Sequence, residues 1–487
     1  MQGQLPRRTF LGGAVGAAAG ALLSGCHEPA TTVASSPTPP SSTTPRRVDW
    51  QRLTTAIRGR VVLPTDPDYA AVKAVFNSTY DDSSPAAVVI PESEDDVRRT
   101  MEFAMTDGVK IAPRSGGHSY IGASAADGAM VIDLRRMAGP IAYDEATTIA
   151  TVPAACTLDP VQRALAGHGR SIPSGSCPTV GVAGLTLGGG LGADARSAGL
   201  TCDALESASI VLPGGDLVTA SPDEHADLFW ALRGGGGGNF GVTTSFSFRT
   251  YPTADRDVVT MRYPDPAVAD VIVSWSQWLA TSDRAIWGLI NIPVGSTADG
   301  CTVVLATPAG SGARRAAELV GAIGASPLST ETRTRDRMDF VHYFEGGDGA
   351  SRPRPFVAGS DIIDDLTSVA AQSIVDAAKA WPAKVGGATV VIESLTGAVS
   401  DIAPDATAFP WRRESASIQW YSETIEAGTA WLASAHRAVQ QHSVGGYVNY
   451  LEPGDAPKRY FGDNLARLTS VRNEYDPHGV LGSGLDY

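Results

Sequence analysis

The segment PAAVVIPESEDDVRRTMEFAMTDGVKIAPRSGGHSY, at positions 85–120, is the part of the chain that is most informative about the fold. AAVVI predicts a buried strand that Pro91 ends, and VKIAP predicts a second strand. Between them apolar residues recur at helical spacing, with Ser93 in the N-cap position and Gly108 as the stop signal. The segment therefore predicts a strand–helix–strand unit.

Two glycine loops follow, at 188–192 and 234–241. Residues 236–241 satisfy the pattern G-x-G-x-x-G, which in Rossmann folds follows a strand and opens a helix. Here a helix-like DLFWALR precedes the glycines and a strand-like VTTSFSFRT follows them. A dinucleotide would therefore have to be bound by a different fold.

Length and composition exclude several classes of protein. A chain of 487 residues with 43% hydrophobic residues is too apolar for disorder and long enough for two domains. The net charge of −14 argues against a nucleic-acid partner, because phosphate binding needs clustered Lys and Arg. Five Cys in this length do not form a disulfide scaffold. A large globular enzyme is the interpretation that remains.

The N-terminus resembles a targeting segment. Arg7 and Arg8 precede a short apolar stretch, as in a bacterial Tat signal, and LLSGC ends in Cys26, as in a lipobox. We expect 1–25 to be a signal peptide and 26–49, rich in Pro, Ser and Thr, to be an extended linker. The expected location is extracytoplasmic, with a membrane link only through lipid on Cys26. A plain signal that is cut elsewhere is the alternative.

Two residues stand in loops that suit chemistry. His118 lies in RSGGHSY directly after a predicted strand, where the glycines let backbone N–H groups approach an anion. Cys177 lies in SGSCPTVGV, a loop of small residues in which a thiol is accessible. Taken alone, each is more often structural. The other His and Cys show no metal-ligand spacing, so no metal site is expected.

Together these loops are similar to a known family. With GLTLGGGLG (184–192), AGLTCDAL (198–205) and GGGGGNFGVTTSF (234–246), they resemble the vanillyl-alcohol-oxidase or PCMH-type FAD-binding domain. The particular resemblance is to berberine bridge enzyme-like oxidases with bicovalent flavin. It continues at TAFPW (407–411), SIQWYSE (417–423), GGYVNYLEP (445–453) and RYFGDNLARLTSVRNEYDP (459–477).

The resemblance implies an α+β fold of two domains. Residues 50–255 would form the PCMH-type FAD-binding domain, and 256–445 an antiparallel-sheet domain that binds the substrate. Residues 446–487 would form a berberine-bridge-type segment that returns to the FAD domain and completes its site.

The resemblance also implies a cofactor, FAD, joined through its 8α carbon to His118 and through C6 to Cys177. Val180, three residues after Cys177, matches a position where Val accompanies oxidases. The further cofactor contacts that we expect are Arg114, Ser115, Gly116, Gly117, Ser119, Gly175, Gly181, Val182, Gly184, Leu187, Gly190, Gly192, Val242, Tyr450 and Asn464.

Four residues are expected to be catalytic. Family members use a Tyr of the C-terminal segment as the base that takes the substrate's hydroxyl proton. YVNY offers Tyr447 and Tyr450, which would point to opposite faces if the segment were an extended strand. We favour Tyr450 and keep Tyr447 open. Gln419 matches a position beside the flavin, and Tyr120 matches a Tyr near the base.

The expected function is that of an exported FAD oxidase. It would oxidise an alcohol, hemiacetal or related C–H centre of a small carbohydrate, phenolic or polyketide substrate, and pass the electrons to molecular oxygen to give hydrogen peroxide. One alternative is a dehydrogenase of the same fold that passes electrons to a quinone or another acceptor. A further alternative is a non-catalytic lipoprotein that binds a ligand.

Overall fold

A computed structural model describes residues 48–295, 300–344, 351–382, 385–482, 484, 485 and 487. The predicted signal peptide, Cys26 and all but the last two residues of the predicted linker lie outside the described residues. Val48–Tyr487 forms one compact unit. Among the described residues, no helix is long and apolar enough to cross a membrane.

The strands fall into two groups along the chain. The first group is β1 (Arg60–Val62), β2 (Ala87–Ile90), β3 (Ile111–Arg114), β4 (Met130–Asp133), β5 (Ala142–Asp144), β6 (Ile149–Pro153), β7 (Arg170–Ser171), β8 (Leu205–Val211), β9 (Leu217–Ala220), β10 (Val242–Arg249) and β11 (Tyr251–Pro252). The second group is β12 (Arg256–Tyr263), β13 (Trp287–Val294), β14 (Cys301–Pro308), β15 (Ser329–Arg335), β16 (Val357–Ile363), β17 (Ala388–Ser394), β18 (Ala416–Ser422) and β19 (Ser443–Gly445).

Helices connect and cover these strands. They are α1 (Trp50–Ala56), α2 (Tyr69–Lys73), α3 (Glu94–Asp107), α4 (Leu158–Ala166), α5 (Val182–Leu187), α6 (Ala195–Ala198), α7 (Ala226–Leu232), α8 (Val268–Thr281), α9 (Gly312–Ile323), α10 (Arg337–Tyr343), α11 (Ser368–Lys379), α12 (Ile425–Val439), α13 (Lys458–Phe461) and α14 (Leu465–Tyr475).

The predicted strand–helix–strand unit is confirmed as β2, α3 and β3. The Ser93 hydroxyl accepts a hydrogen bond from the Asp96 N–H at 3.2 Å, and Gly108 ends the helix in the left-handed region at φ 68°. β4 lies between β2 and β3 and runs parallel to both, in the sheet order β1-β2-β4-β3. His118 therefore follows the edge strand β3.

A second sheet, in the order β5-β6-β10-β8-β9, completes the first half of the fold. As predicted, the helix α7 precedes the glycine run and the strand β10 follows it. The run therefore enters a strand rather than a helix, which excludes the Rossmann arrangement for it.

The third sheet is antiparallel, in the order β15-β12-β14-β13-β17-β18-β16-β19, and all its strands lie within the range 256–445. One face packs against helices in a core that contains Ile418 and Trp420 of β18. Because strand side chains alternate, Gln419 and Tyr421 lie on the opposite face, and both line a cavity.

The C-terminal segment returns to the first half of the fold. Phe461, Leu468 and Val471 belong to the same core cluster as α7 and β10, and the Gly482 N–H donates to the Ile111 carbonyl at 2.7 Å. The predicted α+β fold, with an antiparallel-sheet domain and a returning C-terminal segment, is confirmed.

Candidate active site

One cavity of about 460 Å³ is lined by the loops that carry the sequence motifs described above. Its walls come from the segment after β3, the loop before α5 and the glycine run before β10. The free face of the third sheet and the turn after β19 complete it. The cavity therefore lies where the two halves of the chain and the C-terminal segment meet.

His118 and Cys177 come together around one hydroxyl group. Thr179 Oγ1 lies 3.0 Å from His118 Nε2 and 3.6 Å from Cys177 Sγ. The ring of Phe76 stacks on the imidazole, with the centroids 3.9 Å apart. Burial, and then the charge of Arg354, lowers the pKa of His118 to about 4, so this imidazole is neutral at physiological pH.

Glycines shape the cavity where the two loops touch. A Cβ atom on Gly116 would lie 2.3 Å from the Gly181 nitrogen, and one on Gly181 would lie 2.2 Å from the Gly116 nitrogen. Only residues without a side chain allow this approach. A Cβ on Gly184 would meet nothing within 4 Å, because this position faces the open cavity. The backbone is thus exposed to a ligand, as phosphate groups require.

Four buried polar atoms of residues that line the cavity form no hydrogen bond among the described residues. They are Ser124 Oγ, Asn239 Oδ1, Thr243 Oγ1 and Trp287 Nε1. Buried polar groups are normally satisfied, so these atoms indicate a polar ligand. Together with the exposed glycine backbone they fit FAD, and none of the four residues was predicted as a cofactor contact.

Most of the predicted cofactor residues line this cavity. They are Ser115, Gly116, Gly117, His118, Ser119, Gly175, Cys177, Val180, Gly181, Gly184, Leu187, Gly192, Val242 and Tyr450. Val182 and Gly190 lie directly behind the wall. The Val182 side chain is in the core, and the Gly190 N–H donates to the hydroxyl of Tyr447.

Two of the predicted cofactor residues form hydrogen bonds with the protein backbone. Arg114 touches the cavity, but its guanidinium donates to the carbonyls of Val72, Lys73 and Ser124, so it holds the wall together. Asn464 does not line this cavity; its amide nitrogen donates to carbonyls of the 404–408 segment, at 2.7 Å from Pro404 O. Both side chains thus hold backbone segments in place.

The tyrosine segment also differs from the expectation. Val448–Tyr450 forms a 3-10 turn after β19 instead of an extended strand, because the chain turns back here toward the first half of the fold. Both Tyr447 and Tyr450 therefore line the same cavity, with ring centroids 4.9 Å apart in an edge contact. Because the segment is not an extended strand, the alternation of strand side chains cannot indicate which of the two tyrosines is the base.

Hydrogen bonding distinguishes the two tyrosines. The Tyr447 oxygen accepts from the N–H groups of Gly190 at 2.8 Å and Leu191 at 3.2 Å, and from the Asn449 amide at 2.8 Å. Burial outweighs these donors and raises the pKa of Tyr447 to about 12. The Tyr450 hydroxyl forms no hydrogen bond within the described parts of the chain. The geometry therefore leaves Tyr450 available to a substrate.

Tyr120 lies against Tyr450, and Gln419 contacts Tyr120 in the same cavity. The Gln419 amide donates to the Tyr120 oxygen at 2.6 Å, and the Tyr120 ring stacks on Tyr450 with centroids 5.1 Å apart. Burial raises the pKa of both Tyr120 and Tyr450 well above the usual value for a phenol. Both phenols are therefore protonated at neutral pH.

Glu393 is a cavity residue that was not predicted from the sequence. It lies on β17 and pairs in register with Leu289 and Ser417. Burial raises the pKa of Glu393 to about 7, and its charge contributes to the raised pKa of Tyr450. The one signal in the sequence that could have indicated Glu393 is that it is the single acidic residue in the apolar strand ATVVIES.

Similarity to known proteins agrees with this site. A model described as FAD binding domain matches residues 85–221, and one described as berberine and berberine like matches 446–483. The uncharacterized FAD-linked oxidoreductase YgaK of Bacillus subtilis is 30% identical over 439 residues, which cover 88% of this chain and 96% of that protein. The chain therefore belongs to the FAD-linked oxidoreductases, and it is an enzyme.

Two further relatives carry more specific names. The xylooligosaccharide oxidase of Thermothelomyces thermophilus is 29% identical over 435 residues, covering 81% of this chain and 85% of that protein. A structure of glucooligosaccharide oxidase from Acremonium strictum, titled for its 6-S-cysteinyl, 8α-N1-histidyl FAD, has a TM-score of 0.81 at 24% identity. It covers 88% of this chain and 97% of the other, and shows that the fold is shared.

Proposed function

We propose that this enzyme is an oxidase of carbohydrate-type substrates, with FAD covalently joined to His118 and Cys177 and molecular oxygen as the electron acceptor. The observation that carries the proposal is that both attachment residues and Tyr450 share one cavity. The names of the two oligosaccharide oxidases support the substrate class.

FAD, when bound, supplies the hydride acceptor for a CH–OH centre. The exposed backbone of the glycine loops would hold its phosphates, and Ser124, Asn239 and Thr243 would satisfy its polar groups. His118 and Cys177 would hold the ring system by covalent bonds. The chain's remaining task is to place the substrate hydroxyl and move its proton.

Tyr450 would receive that proton. Because its pKa is well above neutral, Tyr450 begins protonated and must pass on its own proton as it takes the proton of the substrate. Glu393 lies in the same cavity with a pKa of about 7, so its carboxylate is a suitable final acceptor. Two neighbours would keep the Tyr450 ring in place. One is Tyr447, whose oxygen accepts three hydrogen bonds, and the other is Tyr120, which is bonded to Gln419.

The covalent cofactor is tested by acid precipitation. Purified enzyme should keep its yellow colour in the pellet, and mass spectrometry should find flavin on the peptides of both His118 and Cys177. The variants His118→Ala and Cys177→Ala should each keep one attachment. Complete release of flavin from the wild type by acid would refute the covalent link.

The substrate class and the acceptor are tested separately. Xylo- and gluco-oligosaccharides, simple alcohols and phenols should be screened by the rate at which each reduces the flavin under anaerobic conditions. Reoxidation of the reduced enzyme by oxygen and by a quinone then separates an oxidase from a dehydrogenase. Faster reoxidation by the quinone, without hydrogen peroxide, would favour the dehydrogenase.

We also propose that the protein is exported by a Tat-like route and anchored by lipid on Cys26. The twin arginines at positions 7 and 8 and the LLSGC sequence support this proposal. Replacing both arginines by Lys should keep the enzyme in the cytoplasm. Cys26→Ser should move it from the membrane fraction to the soluble fraction, and an unchanged membrane association would exclude the anchor.

A further inference from the structure

β15 (Ser329–Arg335) forms one edge of the third sheet, and among the described strands it pairs with β12 alone. All seven of its residues pair in register with β12, without a bulge. Six of the seven are exposed, and the strand contains no proline. The opposite edge, β19, has only three residues, and α13 packs against it. β15 is thus the long and regular edge of this sheet, and its outer side presents backbone N–H and C=O groups to a further strand.

The side chains of β15 differ between its two faces. From position 330 onward one face carries threonines and the other carries charged residues, because strand side chains alternate. The threonines are Thr330, Thr332 and Thr334, and the charged residues are Glu331, Arg333 and Arg335. Arg333 Nε donates to Glu331 Oε1 at 2.7 Å. The two side chains are nevertheless 66% and 61% exposed, so both are accessible to a partner.

We propose that β15 is a pairing surface for a second copy of this chain. The two copies of β15 lie antiparallel about a two-fold axis that passes through Thr332, so the third sheet of one copy continues into that of the other. In this register Glu331 of each copy faces Arg333 of the other. No residue of β15 lines the proposed cofactor cavity, so the inference does not depend on FAD.

Charge complementarity favours this register. Along each strand Glu331 already pairs with Arg333, and across the interface each of them again meets the opposite charge. The four side chains form a ring in which neighbouring charges alternate in sign. An axis through Glu331 or through Arg333 would instead place two like charges directly opposite each other, which is destabilising. Charged side chains protect many edge strands from pairing, but the two-fold axis through Thr332 makes these charges partners.

The threonine face is complementary to itself in the same register. Thr330 of each copy faces Thr334 of the other, on either side of the central pair of Thr332 side chains. A hydroxyl group both donates and accepts, so threonines that face each other across two strands form hydrogen bonds. An edge of seven residues is small for an interface. We therefore expect a weak dimer, with a Kd in about the micromolar range.

Association is tested by sedimentation equilibrium of the holoenzyme at about 1–100 µM. Cys26→Ser is the background, so that lipid on this residue cannot bring molecules together. Glu331→Arg and Arg333→Glu each place like charges across the interface and should raise the Kd of the dimer about tenfold or more. Both side chains are exposed, so both variants should fold. An equimolar mixture of the two variants should associate again, because the arginines of one copy then face the glutamates of the other.

The register is tested by cysteine cross-linking in the same background. Thr332→Cys places a thiol on the two-fold axis opposite its own counterpart, so mild oxidation should give a disulfide-linked dimer. Thr330→Cys is the matched control on the same face. It should stay unlinked, because position 330 faces Thr334 of the other copy.

Three results would overturn the proposal. The first is a chain that stays a monomer at every concentration. The second is a dimer that Glu331→Arg and Arg333→Glu leave intact, or a mixture of the two that does not associate, because either result assigns the contact to another surface. The third is cross-linking of Thr330→Cys as complete as that of Thr332→Cys, which would exclude the register.

Discussion

At the scale of single residues, the two tyrosines of the C-terminal turn differ in their hydrogen bonds, and we propose different roles for them. Tyr450→Phe should slow flavin reduction by about 10²- to 10⁴-fold, because it removes the proposed proton acceptor. Its FAD content should stay unchanged. Stopped-flow reduction under anaerobic conditions measures this rate, and a wild-type rate in Tyr450→Phe would move the role to another group.

Tyr447→Phe is the matched control for that variant. It leaves the N–H groups of Gly190 and Leu191 and the Asn449 amide without their shared acceptor. We expect a loss of about 1–3 kcal/mol in the free energy of unfolding, measured by denaturant titration. Unchanged stability of Tyr447→Phe would show that the hydrogen bonds to the Tyr447 oxygen do not stabilise the fold.

Glu393 should show its burial in the pH dependence of stability. Its pKa is about 7 in the folded chain, whereas the ordinary value for a glutamate is 4.5, so folding disfavours the ionised form. The resulting cost is absent below pH 4.5 and complete above pH 7. Glu393→Gln should therefore raise the free energy of unfolding by about 3 kcal/mol at pH 8 and leave it almost unchanged at pH 4.5. An equal effect at both pH values would contradict the shifted pKa.

At the scale of secondary-structure elements, the approach of two loops decides the shape of the cavity. Gly181 caps the N-terminus of α5 against Gly116, whereas Gly184, within α5, faces open space. Gly181→Ala should lower the free energy of unfolding by about 2–3 kcal/mol, because the added methyl group meets backbone atoms. Thermal unfolding measures this difference.

Gly184→Ala is the matched variant in the same helix. Alanine stabilises a helix interior relative to glycine by up to about 1 kcal/mol, so this variant should fold as well as the wild type. Its methyl group nevertheless projects into the proposed cofactor cradle and should lower the FAD content, which absorbance at the flavin band measures. Full FAD content in Gly184→Ala would place the phosphates elsewhere.

At the scale of the whole molecule, His436 joins α12 to β16 and to the C-terminal segment. Its Nδ1 lies 2.7 Å from Asp361 Oδ2 and its Nε2 lies 2.8 Å from Glu452 Oε2, while Arg459 also contacts both carboxylates. Burial opposes protonation, but the two carboxylates raise the pKa of His436 to about 9. The imidazolium thus ties the returning segment to the third sheet.

The interaction of His436 with the two carboxylates should weaken at high pH. The pKa rises from 6.5 in the unfolded chain to about 9 in the fold, so the stabilisation is complete below pH 6.5 and lost as pH passes 9. His436→Gln should cost about 3 kcal/mol at pH 6 and almost nothing at pH 10, as measured by denaturant unfolding. A cost that does not change with pH would show that His436 acts through packing alone.

Local signals were sufficient for much of the fold and for part of the site. Ser93 and Gly108 delimit α3, because capping depends on residues a few positions apart. The loops of His118 and Cys177 were found by their motifs. The burial of Glu393 in the cavity and the bonds from Asn464 to carbonyls of 404–408 were not predicted, because neither can be read from neighbouring residues.

The amino-acid sequence by itself determined the strand–helix–strand unit of β2, α3 and β3 and the class of cofactor, and it predicts His118 and Cys177 as the attachment residues. Tertiary structure alone decided that the Thr179 hydroxyl lies between His118 and Cys177, that the loop at 188–192 donates hydrogen bonds to the Tyr447 oxygen, and that the Tyr450 hydroxyl bonds to none of the described residues. The reason is physical: periodicity and capping act within a few residues, whereas this site forms only when β16 to β19 and the returning segment close over the glycine loops.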